Sequence, residues 1–388
     1  MPVTPPAIRL PQAVRRFLAA EATGGIVLLG AAVVALVWAN SPWSSSYESL
    51  WSTEVRHWVN DGLMAVFFFV VGLEIKRELV VGELRSPRAA ALPVIAAVGG
   101  MAVPALLYLA VNAGDPGADG WGIPMATDIA FAVGVVALLG SRVPAPLKLF
   151  LLALAIVDDI GAIVLIAVFY SDGIDGVAFA VAGAAALAVV ALWRLRAPWI
   201  TLVAAAVVLW GATYESGVHA TIAGVVLGLL TPARPSGASP AERLEHRLHP
   251  VASFGIVPLF ALANAGVRIE AGVLDAPGAG AVALGVALGL VVGKPVGVAG
   301  ATWLALRTGL GRLPGGVTLP QVLGVGAVAG IGFTVSLFIT GLAFPPGRAD
   351  LDAAAKIGVL AASVLAAMAG SVLLGTSGRR RQPRRQRR

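Results

Sequence analysis

Four ionisable side chains stand inside long apolar runs of this sequence: Asp128, Asp158, Asp159 and Lys294. A charge in such surroundings is expensive unless it is paired or lines an aqueous cavity, so these four are the candidates for chemistry. Asp158 and Asp159 lie about twelve residues into the run from Leu147 to Tyr170, which at ~1.5 Å per helical residue is near its midpoint. Neighbouring helix positions are ~100° apart, so one carboxylate faces an ion path while the other reaches toward an adjacent helix. Lys294, in GLVVGKPVGVAG, is the buried cation available to offset them. An ion pair of Lys294 with Asp158 or with Asp159 satisfies it equally well. Asp128 sits in GIPMATDIAFAVG, with Pro124 before it and Thr127 beside it, and AVAGIGFTVSLF places Gly330 and Gly332 mid-run ahead of Thr334. Proline or paired glycines weaken helical continuity there and expose carbonyls and helix ends to a cavity.

The elements that hold these residues follow from composition. Of 388 residues, 58% are hydrophobic and 13% charged, and mean hydropathy is +0.86, outside the range of soluble domains. The expected fold class is an all-α polytopic membrane protein; soluble enzymes, nucleic-acid binders and disordered scaffolds are excluded. Zero cysteines remove disulfides, thiolate nucleophiles and cysteine metal sites, and no cofactor is expected. Apolar runs near 17–39, 60–80, 89–111, 121–140, 146–170, 174–193, 199–212, 216–231, 250–267, 279–306, 318–344 and 354–376 predict twelve spans. Alternate connections carry 23 of the 28 lysines and arginines, the other set carries 4, and Lys294 is within a span. The basic set marks the cytoplasmic side, which puts both termini inside. Because Arg194 and Arg234 both belong to that set, the stretch from Thr201 to Leu230 must cross twice, as two short helices around Tyr214, Glu215 and Ser216.

One transporter domain is expected over 17–376, after an N-terminal extension of 1–16. The tail at 377–388 carries seven arginines and is read as a contact for anionic lipid, with no nucleic acid as partner. The external segment at 41–59 holds three tryptophans and a tyrosine; it is an interfacial anchor or, alternatively, an oligomer contact. Spans three to five and ten to twelve start on opposite sides, the parity of an inverted repeat with units of about 89–170 and 279–376. If the interrupted spans four and eleven cross with like helix ends facing, Asp128 would neutralise the positive pair of ends and Lys294 would help the negative pair. Asp128 is then electrostatic support rather than a direct ion ligand.

The segments NDGLMAVFFFVVGLEIKREL (60–79), PMATDIAFAVGVVALLGSRVP (124–144), LALAIVDDIGAIVLIAVFY (152–170), SGVHATIAGV (216–225), RLEHRLHP (243–250), PLFALANAGV (258–267), GKPVG (293–297) and GIGFTVSLFI (330–339) resemble the NhaA family of sodium/proton antiporters. The resemblance is collinear from about residue 15 to 375. The resemblance likewise implies inverted repeats with the site near the bilayer midplane. The resemblance implies electrogenic extrusion of cytoplasmic sodium or lithium in exchange for external protons, activated at alkaline pH, in the bacterial inner membrane. It implies Asp159 as principal cation ligand, Asp158 as partner of Lys294 and second proton site, and Asp128 with Thr127, Gly330, Gly332 and Thr334 in a crossed-helix assembly. Asp61 would sit at the external funnel, Glu74, Glu245, His246 and His249 near a pH-responsive cytoplasmic entrance, and His219 in a motif affecting pH dependence. A homodimer through 41–59 is implied as well.

The minimal mechanism is competition for one site. Sodium needs hard oxygen ligands, and the same carboxylates take protons when it is absent. A transporter, not an enzyme, is therefore expected. An intramembrane aspartyl protease would have no use for a midplane lysine and lacks its GxGD loop here. A channel, or a proton- or sodium-coupled solute symporter, is the alternative on the same fold.

Overall fold

In lipid every backbone N–H and C=O must be satisfied within its own segment, so apolar runs of this length fold as helices. The computed structural model describes residues 12–171, 173–234, 239–270 and 272–379, and among them there is no strand. The chain is thus an all-helical, polytopic membrane protein. The expected tail contact at 380–388 and residues 1–11 of the extension lie outside the described residues.

In order, the helices are α1 (Gln12–Ala39), α2 (Ser44–Leu50), α3 (Thr53–His57), α4 (Met64–Val80), α5 (Pro87–Asn112), α6 (Ile129–Leu139), α7 (Ala145–Phe169), α8 (Gly176–Arg194), α9 (Trp199–Glu215), α10 (Thr221–Leu230), α11 (Pro240–Val251), α12 (Val257–Asn264), α13 (Ala279–Leu288), α14 (Lys294–Arg307), α15 (Leu319–Ala329), α16 (Phe333–Ala343) and α17 (Ala349–Arg379). Wide π turns at Trp58–Leu63, Ala252–Ile256 and Gly289–Gly293 lead into α4, α12 and α14, and a 3-10 segment, Ala118–Met125, precedes α6.

Among the described residues seven helical runs are long and apolar enough to cross a membrane, and α15 with α16, bent by 51°, makes eight. The other four of the twelve apolar runs are shorter or broken. α9 and α10 have 17 and 10 residues and are parted by Gly217, whose φ of +81° suits glycine. α4 has 17 residues and carries Glu74, Lys76, Arg77 and Glu78. α12 has only 8, because the π turn separates it from the polar α11. A count based on unbroken apolar length therefore stops at eight where the apolar pattern gives twelve.

The periphery is apolar and exposed: Val177 and Leu187 on α8 and Ile200 and Val207 on α9 face outward, as lipid-facing side chains do. Inside, helices close on small residues, as membrane bundles do in place of hydrophobic collapse. A Cβ on Gly224 of α10 would come within 2.0 Å of Ala65 O on α4. The 41–59 segment folds as α2 and α3. Tyr47 anchors it by donating to Leu262 O at 2.8 Å, and Arg268 pairs with Glu48 at 3.0 Å.

Candidate functional site

The site is held by α7, the break before α6, the π turn before α14, and the break between α15 and α16. α7 runs unbroken from Ala145 to Phe169 and buries Asp158 and Asp159 near its middle. α5 packs against both α7 and α14. Gly99 and Gly297 permit the second contact, since a Cβ on Gly297 would lie 2.1 Å from Gly99 O. One turn before Gly297, Lys294 is the first residue of α14 and is fully buried.

Geometry settles which carboxylate the lysine takes. Lys294 Nζ lies 2.8 Å from Asp158 Oδ2, with both side chains wholly inaccessible. The same ammonium donates to Met125 O, at the C-terminal end of the 3-10 segment, so it also meets a negative helix end. Thr127 Oγ1 is 2.6 Å from Asp158 Oδ2 and 2.8 Å from Ala329 O. A hydroxyl has one proton, so Thr127 donates to one of these oxygens at a time. Asp158 Oδ1 is buried without a hydrogen-bond partner.

Asp159, one residue on and 8% exposed, makes no hydrogen bond or ion pair among the described residues. The charges acting on it are the carboxylates of Glu74, Asp158 and Asp128, opposed by Lys294. Of the two neighbours, then, one is ion-paired and the other is not.

Asp128 closes the two breaks on each other. It is the N-cap of α6, where its Oδ1 accepts from Phe131 N at 3.1 Å. Its Oδ2 accepts from Thr334 N at 3.0 Å and from Thr334 Oγ1 at 2.7 Å, at the start of α16. Its own N–H donates to Ile331 O at 2.7 Å. One carboxylate thus serves the positive N-terminal ends of two helices. Gly330 and Gly332 have φ of −68° and −98°, so the break does not demand a left-handed residue. What Gly330 supplies is space, because a Cβ there would come 2.2 Å from Leu290 O.

The remaining sequence candidates lie in two other groups. His249 Nε2 is 2.5 Å from Glu21 and 3.8 Å from Glu74, and Arg77 Nε is 3.1 Å from Glu245. Burial pushes the Glu245 carboxyl above its ordinary range against the opposing charges of Arg77 and His249. Burial alone would lower the His249 pKa, but the bond to Glu21 and the charges of Glu21, Glu74 and Glu245 outweigh it, so the imidazole titrates above its ordinary value. His246 is exposed, and its side chain makes no hydrogen bond among the described residues. In the second group Asp61 lies 3.0 Å from His57 Nδ1, and His57 Nε2 is 3.1 Å from Tyr214 OH. His219 Nε2 donates to Tyr170 O at 2.6 Å.

The family model described as Na+/H+ antiporter 1 matches residues 15–374. This chain belongs to that family. It is 48% identical to Na(+)/H(+) antiporter NhaA 3 of Frankia alni, over 96% of this chain and 91% of that protein. It is 50% identical to the NhaA antiporter of Citrobacter koseri, over 93% and 97%, and 48% to that of Vibrio campbellii, over 93% and 94%.

Within this family member, three features escape a reading of sequence alone. Glu21, 6% exposed and bound to His249, is a lone charge near the start of the first apolar run; that was its only signal. His57 gives no clue to its pairing beyond its i,i+4 spacing to Asp61. Met125 O is a backbone group that no side-chain motif reveals.

Proposed function

We infer that this chain exchanges sodium, and lithium, for protons across a bacterial inner membrane, extruding cytoplasmic cation against entering protons. The observation that carries the reading is Asp159. It is a deeply placed carboxylate with no hydrogen-bond or ion-pair partner among the described residues, beside an Asp158 already held by Lys294 and Thr127. Such a group either takes a proton or ligates a hard cation, and the two exclude each other. The high identity to proteins named Na(+)/H(+) antiporter supports the same reading.

Asp159 is the principal ligand and Asp158 the second proton site, released when Lys294 parts from it. More than one proton then enters per sodium, which makes the exchange electrogenic; each net charge gains about 2.3 kcal/mol per 100 mV. Twelve spans with both termini cytoplasmic accommodate the charge pattern, with inverted repeats that set spans four and eleven across each other at Asp128. The breaks touching through Asp128, Thr127 and Thr334 support that arrangement. The cluster of Glu21, Glu74, Glu245 and His249 is where alkaline pH acts to raise activity, His219 and Asp61 belong to the external half, and a homodimer forms through 41–59. Nothing in this scheme calls for a cofactor.

The test is dequenching of a pH-gradient dye in everted vesicles on adding NaCl, LiCl or KCl. A response to sodium and lithium but not potassium, lost in Asp159→Asn, is expected. Acidification of the same vesicles on adding a solute would instead mark a symporter.

A further inference from the structure

A polar cleft of about 500 Å³ opens where the end of α1, the α2–α3 segment, the loop at 266–268 and the first turns of α17 meet. None of the carboxylate-centre residues lines it. Three cations from three segments do: Arg56, Arg268 and Lys356. Lys356 is neutralised by Asp352 at 2.7 Å and Arg268 by Glu48 at 3.0 Å. Arg56 makes no ion pair among the described residues and rests 5.9 Å over the ring of Tyr47. Its Nε is buried without an acceptor, and so is Nε1 of Trp51, another wall residue, which is 7% exposed.

Both orphaned atoms are obligate donors, so only an acceptor can satisfy them. Buried polar groups are seldom left unpaired unless a ligand or water completes them. One uncompensated guanidinium and two unmet donors call for a compact, oxygen-rich anion. A guanidinium fork matches the oxygens of a phosphate group in particular. Depth agrees with this, because Trp43, Trp51 and Trp58 lie in the same segment and indole rings favour the level of lipid headgroups.

We propose that this cleft binds a phosphate group, with Arg56 and Trp51 as its donors. The group comes from an anionic phospholipid headgroup or from free phosphate. The site is separate from the exchange centre and does not rest on the transport reading.

The test uses the full-length protein, purified in detergent and stripped of lipid. It is titrated with short-chain phosphatidylglycerol, with a neutral glycolipid of the same chains and with inorganic phosphate, reading adducts by native mass spectrometry and unfolding temperature. Phosphatidylglycerol should bind at least about tenfold more tightly than the glycolipid. Arg56→Gln should weaken it by about tenfold, the scale of a hydrogen bond to a charged group. Trp51→Phe, which keeps the ring and removes the donor, should weaken it several-fold and serves if Arg56→Gln fails to fold. Competition by inorganic phosphate would assign the site to the free ion, and its failure to compete would assign it to lipid; both uphold a phosphate site. Equal binding of the two lipids with no phosphate effect would overturn it. So would unchanged phosphatidylglycerol binding in both variants, including the case where they alter only the balance of monomer and dimer.

Discussion

Asp159→Asn takes away a carboxylate with no hydrogen-bond or ion-pair partner among the described residues, so it should leave no orphaned partner behind. We expect sodium-dependent proton movement to vanish while the unfolding temperature stays level or rises. A marked fall in stability would mean that Asp159 is structural. Lys294 is the opposite case, since Lys294→Met strands the Asp158 carboxylate at zero exposure and removes the donor to Met125 O. Breaking one side of a buried pair costs about 3–5 kcal/mol, whereas replacing both sides with neutral groups costs far less. The double variant Lys294→Met with Asp158→Asn should therefore be more stable than Lys294→Met alone, and additive losses in thermal unfolding would argue against the pair. These four charges were legible in the sequence because each interrupts an apolar run. Their pairing was not, since helical spacing leaves Asp158 and Asp159 equivalent until the π turn at Gly289–Gly293 sets the direction of Lys294.

Between elements the decisive contacts are made by backbone. The break after α15 lies so close to the π turn that a Cβ on Gly330 would meet Leu290 O at 2.2 Å, whereas one on Gly341 would meet nothing within 4 Å. Gly330→Ala must push the two breaks apart, at a cost of about 1–3 kcal/mol for overpacking. It should slow exchange at saturating sodium as well as lower the unfolding temperature. Gly341→Ala, in the same helix pair, should be neutral or stabilising by up to about 1 kcal/mol from helix propensity. Equal effects from the two would show that glycine acts here by flexibility rather than by space. The glycines and Pro124 marked the breaks in advance, and the charge count divided α9 from α10. The π turns carry no such mark. Their extra residue is held by packing against other helices, so the interruptions before α4 and α12 come into view only in the folded chain.

Across the whole molecule, α1, α4 and α11 are tied together by titratable groups. His249 on α11 faces Glu21 of α1, Glu74 and Arg77 of α4, and Glu245 of its own helix. Its pKa is raised above the ordinary 6.5, so the stability it contributes is fully present below that value and is lost as pH rises through the raised one. Glu245 is raised above its ordinary 4.5 as well. The unfolded chain ionises this carboxyl from about 4.5 upward while burial resists ionisation in the folded one, so stability is lost as pH rises from that value through the raised one. Both groups therefore loosen the joint between α1, α4 and α11 as pH rises. In wild type the unfolding temperature should fall between about pH 6 and about pH 9, the range over which the proposed alkaline activation would raise exchange. His249→Gln keeps a hydrogen-bonding group for Glu21 without the titrating charge. It should flatten the fall in unfolding temperature and, in the same preparation, flatten the pH profile of exchange. If the thermal profile flattens while the activity profile keeps its shape, this cluster holds the helices together but does not set the response, and titration at Asp158 and Asp159 alone governs the rate.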